Sequence, residues 1–324
     1  MKRLSPKLTS KAMAKQGLVL IILIIGLVWP SVLPDWPKQA VNMQEALALL
    51  PARSAEVTRL PAPPALKNVL VGGDITDPPV KASLAAVIDA GTGVMLWSKG
   101  GDKQWPLASI TKLMTASVLW DRNLDWRAEV DMEELSSVAG GKRSIYQGER
   151  VALEILWNVM LVASDNYAAM QLVRSSGLSD QQFVLAMNQK AKDWGLKQTR
   201  FVEPTGLSPD NTSTVEEAGR LAYQAFQLSK VRAAASSGRY QFAVGKTVRT
   251  VDNTNPLVGK LGSSIVASKT GYIPEAGGNV VAILSPDNIH EVIAVVLGDS
   301  VIADRVNDLT VLADWVRKEV TWNK

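Results

Sequence analysis

Two groups of short β-branched runs, one at each end of a long helical stretch, constrain this chain more than any other feature. The first is "SLAAVIDAGTGVMLWSK", residues 83 to 99, in which two apolar runs flank Gly91-Thr92-Gly93, a hairpin signal. The second begins at residue 263 with "SSIVASKTGYI" and continues through "GNVVAILSP" and "HEVIAVVLGD". A lone hairpin is marginal in water, and unpaired backbone groups are costly to bury. Strands from both ends are therefore expected in one antiparallel sheet, with a helical block inserted between them. That is an α+β layout.

The inserted block reads as four helices. "WPLASITKLMTASVLW" turns Leu113, Ala116, Val118 and Leu119 toward the core, with Pro106 just ahead. "ALEILWNVMLVASDN" is a second apolar helix ending at a polar turn. "DQQFVLAMNQKAKDWG" places Phe183, Ala186, Met187 and Ala191 on one face before Gly195, and "TVEEAGRLAYQAFQL" is the fourth. The final stretch, "DRVNDLTVLADWVRKEV", is amphipathic, with Val306, Leu309, Leu312, Trp315 and Val316 on one side.

With 324 residues and 47% apolar content, the chain can bury a sizeable core. Three domains are expected. Residues 1–33 hold Lys2, Arg3, Lys7, Lys11 and Lys15 ahead of the apolar run "GLVLIILIIGLVW", which reads as either a cleaved export signal or a retained anchor. Residues 34–80 carry half of the sixteen prolines and read as a semi-extended tether, broken by a short helix at "MQEALALL". Residues 81–324 form the folded body. The net charge of +4 is accounted for by the five N-terminal positives, so the near-neutral body has no footprint for nucleic acid.

The rare residues exclude several chemistries. There is no Cys, hence no thiol nucleophile and no disulfide. The one histidine, His290, reads as a surface or turn residue at the start of a late strand, and zinc sites built on two or three histidines are impossible. The ten tryptophans read as core and interface fillers.

Ser-x-x-Lys occurs once, as Ser109 and Lys112 in "ASITKLMTA", at a helix start. By itself that spacing is weak. At a helix N-terminus, however, the lysine reaches back over the serine. A serine hydroxyl is a poor nucleophile until something takes its proton. Lysine can do so only when neutral, which requires burial and a nearby positive charge. Two further stretches follow in order. "VASDNYAA" puts Ser164, Asp165 and Asn166 at a helix end, and "ASKTGYI" puts Lys269, Thr270 and Gly271 on a strand. Singly, each has a bland reading as a capping turn or a strand-end tripeptide.

Together, S-x-x-K, S-D-N and K-T-G in this order are the signature of penicillin-binding proteins and class A β-lactamases. From about residue 81 to the C-terminus the sequence resembles the low-molecular-mass penicillin-binding proteins, the serine D-alanyl-D-alanine peptidases. "PLASITKLMTA", "FVEPTGLSPDNTST", "NTNPLV" and "KTGYIPEAGGNVV" most resemble its D-alanyl-D-alanine endopeptidase branch. The resemblance implies a DD-peptidase/β-lactamase-like fold and no cofactor. It implies that Ser109 is acylated, Lys112 takes its proton, Ser164 relays that proton, and Asn166 holds Lys112 and the substrate amide. Lys269 would keep Lys112 neutral and attract a substrate carboxylate, and Thr270 would donate to that carboxylate. Gly271 would let the strand approach the substrate backbone, and the N–H groups of Ser109 and Tyr272 would form the oxyanion hole.

The implied substrates are peptidoglycan peptide stems outside the cytoplasmic membrane, with β-lactams as covalent inhibitors and membrane contact through the N-terminal segment. A carboxypeptidase removing terminal D-Ala is the alternative; a β-lactamase or a non-catalytic wall-binding scaffold ranks lower. Glu203 reads as structural, because the Glu-x-x-Leu-Asn pattern of a deacylating glutamate is missing. Lys142 and Arg143 read as a solvated loop.

Overall fold

The computed structural model describes residues 69–71, 76–134, 143–260 and 263–322. The basic N-terminus, the apolar run 17–29, the "MQEALALL" helix and Lys142 lie outside them. Among the described residues no helix is long and apolar enough to cross a membrane.

In chain order the strands are β1 (Val69–Val71), β2 (Leu84–Asp89), β3 (Met95–Lys99), β4 (Trp105–Pro106), β5 (Glu129–Asp131), β6 (Arg150–Ala152), β7 (Thr212–Ser213), β8 (Arg239–Val244), β9 (Thr247–Asp252), β10 (Ile265–Ile273), β11 (Gly277–Leu284), β12 (Val292–Asp299) and β13 (Val320–Trp322). The helices are α1 (Thr111–Asp121), α2 (Leu153–Val162), α3 (Asn166–Ser175), α4 (Asp180–Asp193), α5 (Val215–Gln227), α6 (Ser229–Ala235) and α7 (Asp304–Glu319).

The main sheet has five antiparallel strands in the order β10-β11-β12-β2-β3. Strands from both ends of the body meet at β12 and β2, where Val292 faces Asp89 and Leu297 faces Leu84. The pleat explains the apolar runs. Leu84, Ala86, Ile88, Val281, Ile283, Ile293 and Val295 point to the face covered by the helical block. Ala85, Val87, Val280, Ala282, Val292, Ala294 and Val296 point to the other face, under Leu309, Leu312, Trp315 and Val316 of α7. With both faces covered, the strands cannot alternate with polar residues. Each fully buried aliphatic side chain contributes about 1.5–3 kcal/mol.

Helix α1 runs through the middle of the block, and every residue from Thr111 to Leu119 is buried. Its polar members are satisfied: Thr115 Oγ1 donates to Pro204 O (2.5 Å) and Ser117 Oγ to Leu113 O (2.7 Å). A tryptophan cluster, Trp126 edge-on to Trp157 with Trp120 beside it, closes one side of α2.

Several elements differ from expectation. "ASDN" does not simply end a helix: α2 stops at Val162 and the separate helix α3 starts at Asn166. The short helix α6 and the β8–β9 hairpin follow α5. Part of the stretch read as tether belongs to the body. β1 pairs antiparallel with β13, Trp315 Nε1 donates to Thr76 O (2.9 Å), and Trp97 Nε1 donates to Asp77 Oδ1 (2.8 Å). His290 bonds Asp287 through Nδ1 (2.7 Å) and stacks flat on Trp322.

Candidate active site

Ser109 sits in a 3-10 turn, Ala108–Ile110, that leads directly into α1. The residue before it, Ala108, has a left-handed backbone (φ 49°), a conformation costing a non-glycine residue about 1–3 kcal/mol. Two glycines hold that strained turn. A Cβ on Gly206 would lie 1.9 Å from Ala108 O. A Cβ on Gly271 would lie 2.8 Å from Leu107 O and 3.0 Å from both Ala108 Cβ and Ser109 N. The close approach that excludes a side chain at Gly271 here is to the protein's own nucleophile turn.

Lys112, the second residue of α1 and one turn beyond Ser109, is fully buried and meets three oxygen atoms. Its Nζ lies 2.9 Å from Ser109 Oγ, 2.5 Å from Asn166 Oδ1 and 2.7 Å from Thr205 O. A neutral amine has two N–H donors and one lone pair. Donating to Asn166 and Thr205 leaves the lone pair for the Ser109 hydroxyl. Burial lowers the Lys112 amine to about 8, while the Glu203 and Asp165 carboxylates pull the other way. Burial, rather than the Lys269 charge, is thus the main cause of the lowered value. The repulsion between the two amines is felt at Lys269, whose own buried ammonium is held well below the ordinary lysine value by burial first, then by Lys112 and Arg305.

Ser164 occupies the α2–α3 break, where its left-handed backbone (φ 62°) stops one helix and aims the chain into the next. Asp165 caps α3, accepting from Ala168 N (3.0 Å), and also accepts from Ser144 N (2.8 Å). That cap presents Asn166, the first residue of α3, to Lys112. Lys269 Nζ donates to Ser164 Oγ (2.7 Å) and to Thr270 O (2.9 Å), so its ammonium is turned onto the second serine. Thr270 Oγ1 bonds Thr254 Oγ1 at 2.6 Å. Tyr272 is exposed on the same strand. β10 is the edge of the main sheet and runs past Ser109, so its outer backbone groups face the nucleophile. The structure thus joins Lys112 to Ser109 and Asn166, and Lys269 to Ser164, with the Lys112 charge felt at Lys269.

Sequence reasoning missed the groups that frame it. The Glu203 carboxylate gathers Thr205 N (2.7 Å), Thr205 Oγ1 (2.5 Å), Gly206 N (2.5 Å) and Asn211 Nδ2 (2.8 Å), and so places the Thr205 carbonyl against Lys112. Thr254 N donates to Val162 O (3.1 Å), tying the end of α2 to the segment after β9, which bonds Thr270 of β10 through the Thr254 hydroxyl. Asn279 Nδ2 donates to Pro106 O (2.8 Å), fixing the strand next to the nucleophile turn. The stretches "FVEPTGLSPDNTST" and "NTNPLV" were the available signal, since both frame the site without supplying its reactive atoms. Arg143 is not a solvated loop residue; its guanidinium stacks on the Tyr167 ring at 3.7 Å, beside Asn166.

A family model described as D-alanyl-D-alanine carboxypeptidase, peptidase family S11, matches residues 74–301. The chain belongs to that family. A D-alanyl-D-alanine endopeptidase of Haemophilus influenzae is 35% identical over 58% of this chain and 65% of its own length, so the match spans slightly under two thirds of that relative. One of Escherichia coli is 30% identical over 67% of this chain and 71% of its own. Among solved structures, the Streptomyces K15 DD-transpeptidase superposes with a TM-score of 0.69 at 25% identity, covering 74% of this chain and 98% of that one. The K15 enzyme shares the α+β fold described above.

Proposed function

We propose that this S11 protein is a penicillin-sensitive serine DD-peptidase, acting first as an endopeptidase on D-Ala–D-amino-acid cross-links of peptidoglycan. One observation carries the reading: a fully buried Lys112 amine, its pKa lowered to about 8, at 2.9 Å from the Ser109 hydroxyl. Ser109 Oγ attacks the peptide carbonyl as its proton passes to Lys112 Nζ. The oxyanion forms against the backbone N–H groups of Ser109 and Tyr272. The C–N bond breaks, and the leaving amine takes a proton delivered through Ser164, which Lys269 orients. Water then hydrolyses the acyl-enzyme. Asn166 fixes the Lys112 rotamer, and Thr270 with Lys269 receives the substrate's carboxylate end.

The endopeptidase preference rests on the relatives of that name at 30–35% identity. Carboxypeptidase action on terminal D-Ala is the second reading, favoured by the family model's description and by a Bacillus subtilis relative at 29% identity. β-Lactamase turnover is disfavoured, because the Glu203 carboxylate is engaged by the 205–211 loop. The substrate lies outside the cytoplasmic membrane, in the periplasm or at the membrane's outer face. Residues 1–33 act as signal or anchor, a tether follows, and the body carries the activity.

The test is labelling with fluorescent penicillin together with digestion of cross-linked muropeptide dimers. The intact chain is expected to take up one label and to split dimers, and Ser109→Ala to do neither. A chain that is labelled but trims only pentapeptide monomers is a carboxypeptidase.

A further inference from the structure

The start of α3 and the loop 203–211 meet beside the Lys112 amine. Asn166 Oδ1 and Thr205 O lie 2.5 and 2.7 Å from its Nζ. Just beyond them in sequence, Tyr167 and Leu207 both pack on the buried Met170 in a small apolar cluster. Tyr167 and Leu207 are themselves only half-buried, so part of that cluster stays open. Arg143 lies on it, with its guanidinium carbon 3.7 Å from the centre of the Tyr167 ring.

The arm that carries Arg143 is fixed. Ser144 N donates to Asp165 Oδ2 (2.8 Å), Ser144 O accepts from Arg249 Nη1 (3.0 Å), and Ile145 is buried. The guanidinium, by contrast, has no acid. Asp165 is taken by Ser144 N and Ala168 N, Glu149 pairs with Arg249, and Glu133 pairs with Arg174. Among the described residues no carboxylate pairs with Arg143, and its buried Nε has no hydrogen-bond partner. The sequence of residues 135–142 contains no acid either. Stacking uses the flat face of a guanidinium and leaves its edge, where the N–H donors lie. A guanidinium held flat on a ring is ordered before any ligand arrives, and its fork of donors matches a carboxylate.

The geometry points to a subsite for a carboxylate on the side chain of the peptide stem. The edge of Arg143 binds that carboxylate, and Tyr167, Met170 and Leu207 line the aliphatic chain that carries it. The subsite serves the acyl half of the substrate, because Tyr167 directly follows Asn166, the residue that the family resemblance assigns to the substrate amide. The inference rests on the peptidase reading above. It adds to that reading a preference for an anionic side chain on the residue preceding the D-Ala whose carbonyl Ser109 attacks. This carboxylate is separate from the terminal one assigned to Thr270 and Lys269.

The experiment gives the full chain two acetylated tripeptides, Xaa-D-Ala-D-Ala, in which Xaa is α-aminoadipate or its uncharged side-chain amide. Release of D-Ala and protection against fluorescent penicillin are both followed. For wild type, kcat/KM is expected to favour the anionic peptide by about three- to tenfold, with the preference shrinking at high salt. In Arg143→Gln the ratio should fall to about one, in Arg143→Lys part of it should remain, and in Arg143→Glu it should drop below one. If Arg143 only packs on Tyr167, its loss lowers both peptides alike and leaves the ratio where it was.

A wild-type chain that handles the two peptides equally overturns the inference, as does a ratio unchanged in Arg143→Gln. Peptides that neither release D-Ala nor slow labelling overturn it as well. A wild-type chain that takes up no penicillin overturns the parent reading, whereas normal uptake without discrimination between the peptides overturns this inference alone.

Discussion

At the scale of single residues, the site depends on an amine with one lone pair and three neighbours. Lys112 must be neutral to accept the Ser109 proton, and its ammonium loses that proton at about 8. Acylation by penicillin should therefore rise with pH to a half-maximum near that value, as stopped-flow labelling would measure. Lys112→Ala should lower the rate by about 10²–10⁴-fold. Glu203 stabilises the ammonium, so Glu203→Gln should move the half-maximum to lower pH while loosening the 205–211 loop. Gly271→Ala adds a methyl 2.8 Å from Leu107 O, and neither backbone can yield without moving Ser109. It should cost about 1–3 kcal/mol in thermal unfolding and slow acylation sharply. Ser109 and Lys112 were legible because serine activation restricts the residue types available in a chain with one histidine and no cysteine. The Thr205 carbonyl was not, because a backbone acceptor carries no residue identity.

At the scale of elements, the α2–α3 break matters most. Ser109, Ser164 and Lys269 come from a helix start, a left-handed corner and an edge strand. Asp165 does two things at that corner: it caps α3 and anchors the Ser144 backbone. Asp165→Ala should destabilise the fold by about 1–3 kcal/mol in denaturant titration. It should also slow acylation, since Asn166 is the residue the cap sets in place. Apolar periodicity found α1, α4, α5 and α7, whose buried faces span several turns. It left α3 unassigned, because Asn166–Ser175 follows α2 after only three intervening residues and the polar Ser-Asp-Asn turn reads as the end of one helix. The β8–β9 hairpin escaped for a related reason: it alternates exposed and half-buried residues with little apolar contrast.

At the scale of the whole body, the sheet closes the chain on itself. β12 pairs with β2, and β13 with β1, so the C-terminal end of the chain holds the entry of the N-terminal segment. Removing residues 1–80 would delete β1 and the partners of Trp315 and Trp97. Such a fragment should melt below one beginning at residue 69, by about 2–4 kcal/mol in unfolding free energy, at roughly 1 kcal/mol per lost hydrogen bond.

The sequence by itself determined the layout of strands around a helical block and the order of the three polar motifs, because strand pairing and side-chain chemistry act through residue type and spacing. Tertiary structure decided why the Lys112 amine is held below its ordinary value, why position 271 must be glycine, and what Glu203, Asp165 and Asn279 do. Those answers depend on burial and on backbone atoms brought together from distant parts of the chain, and neither is written in the spacing of residues.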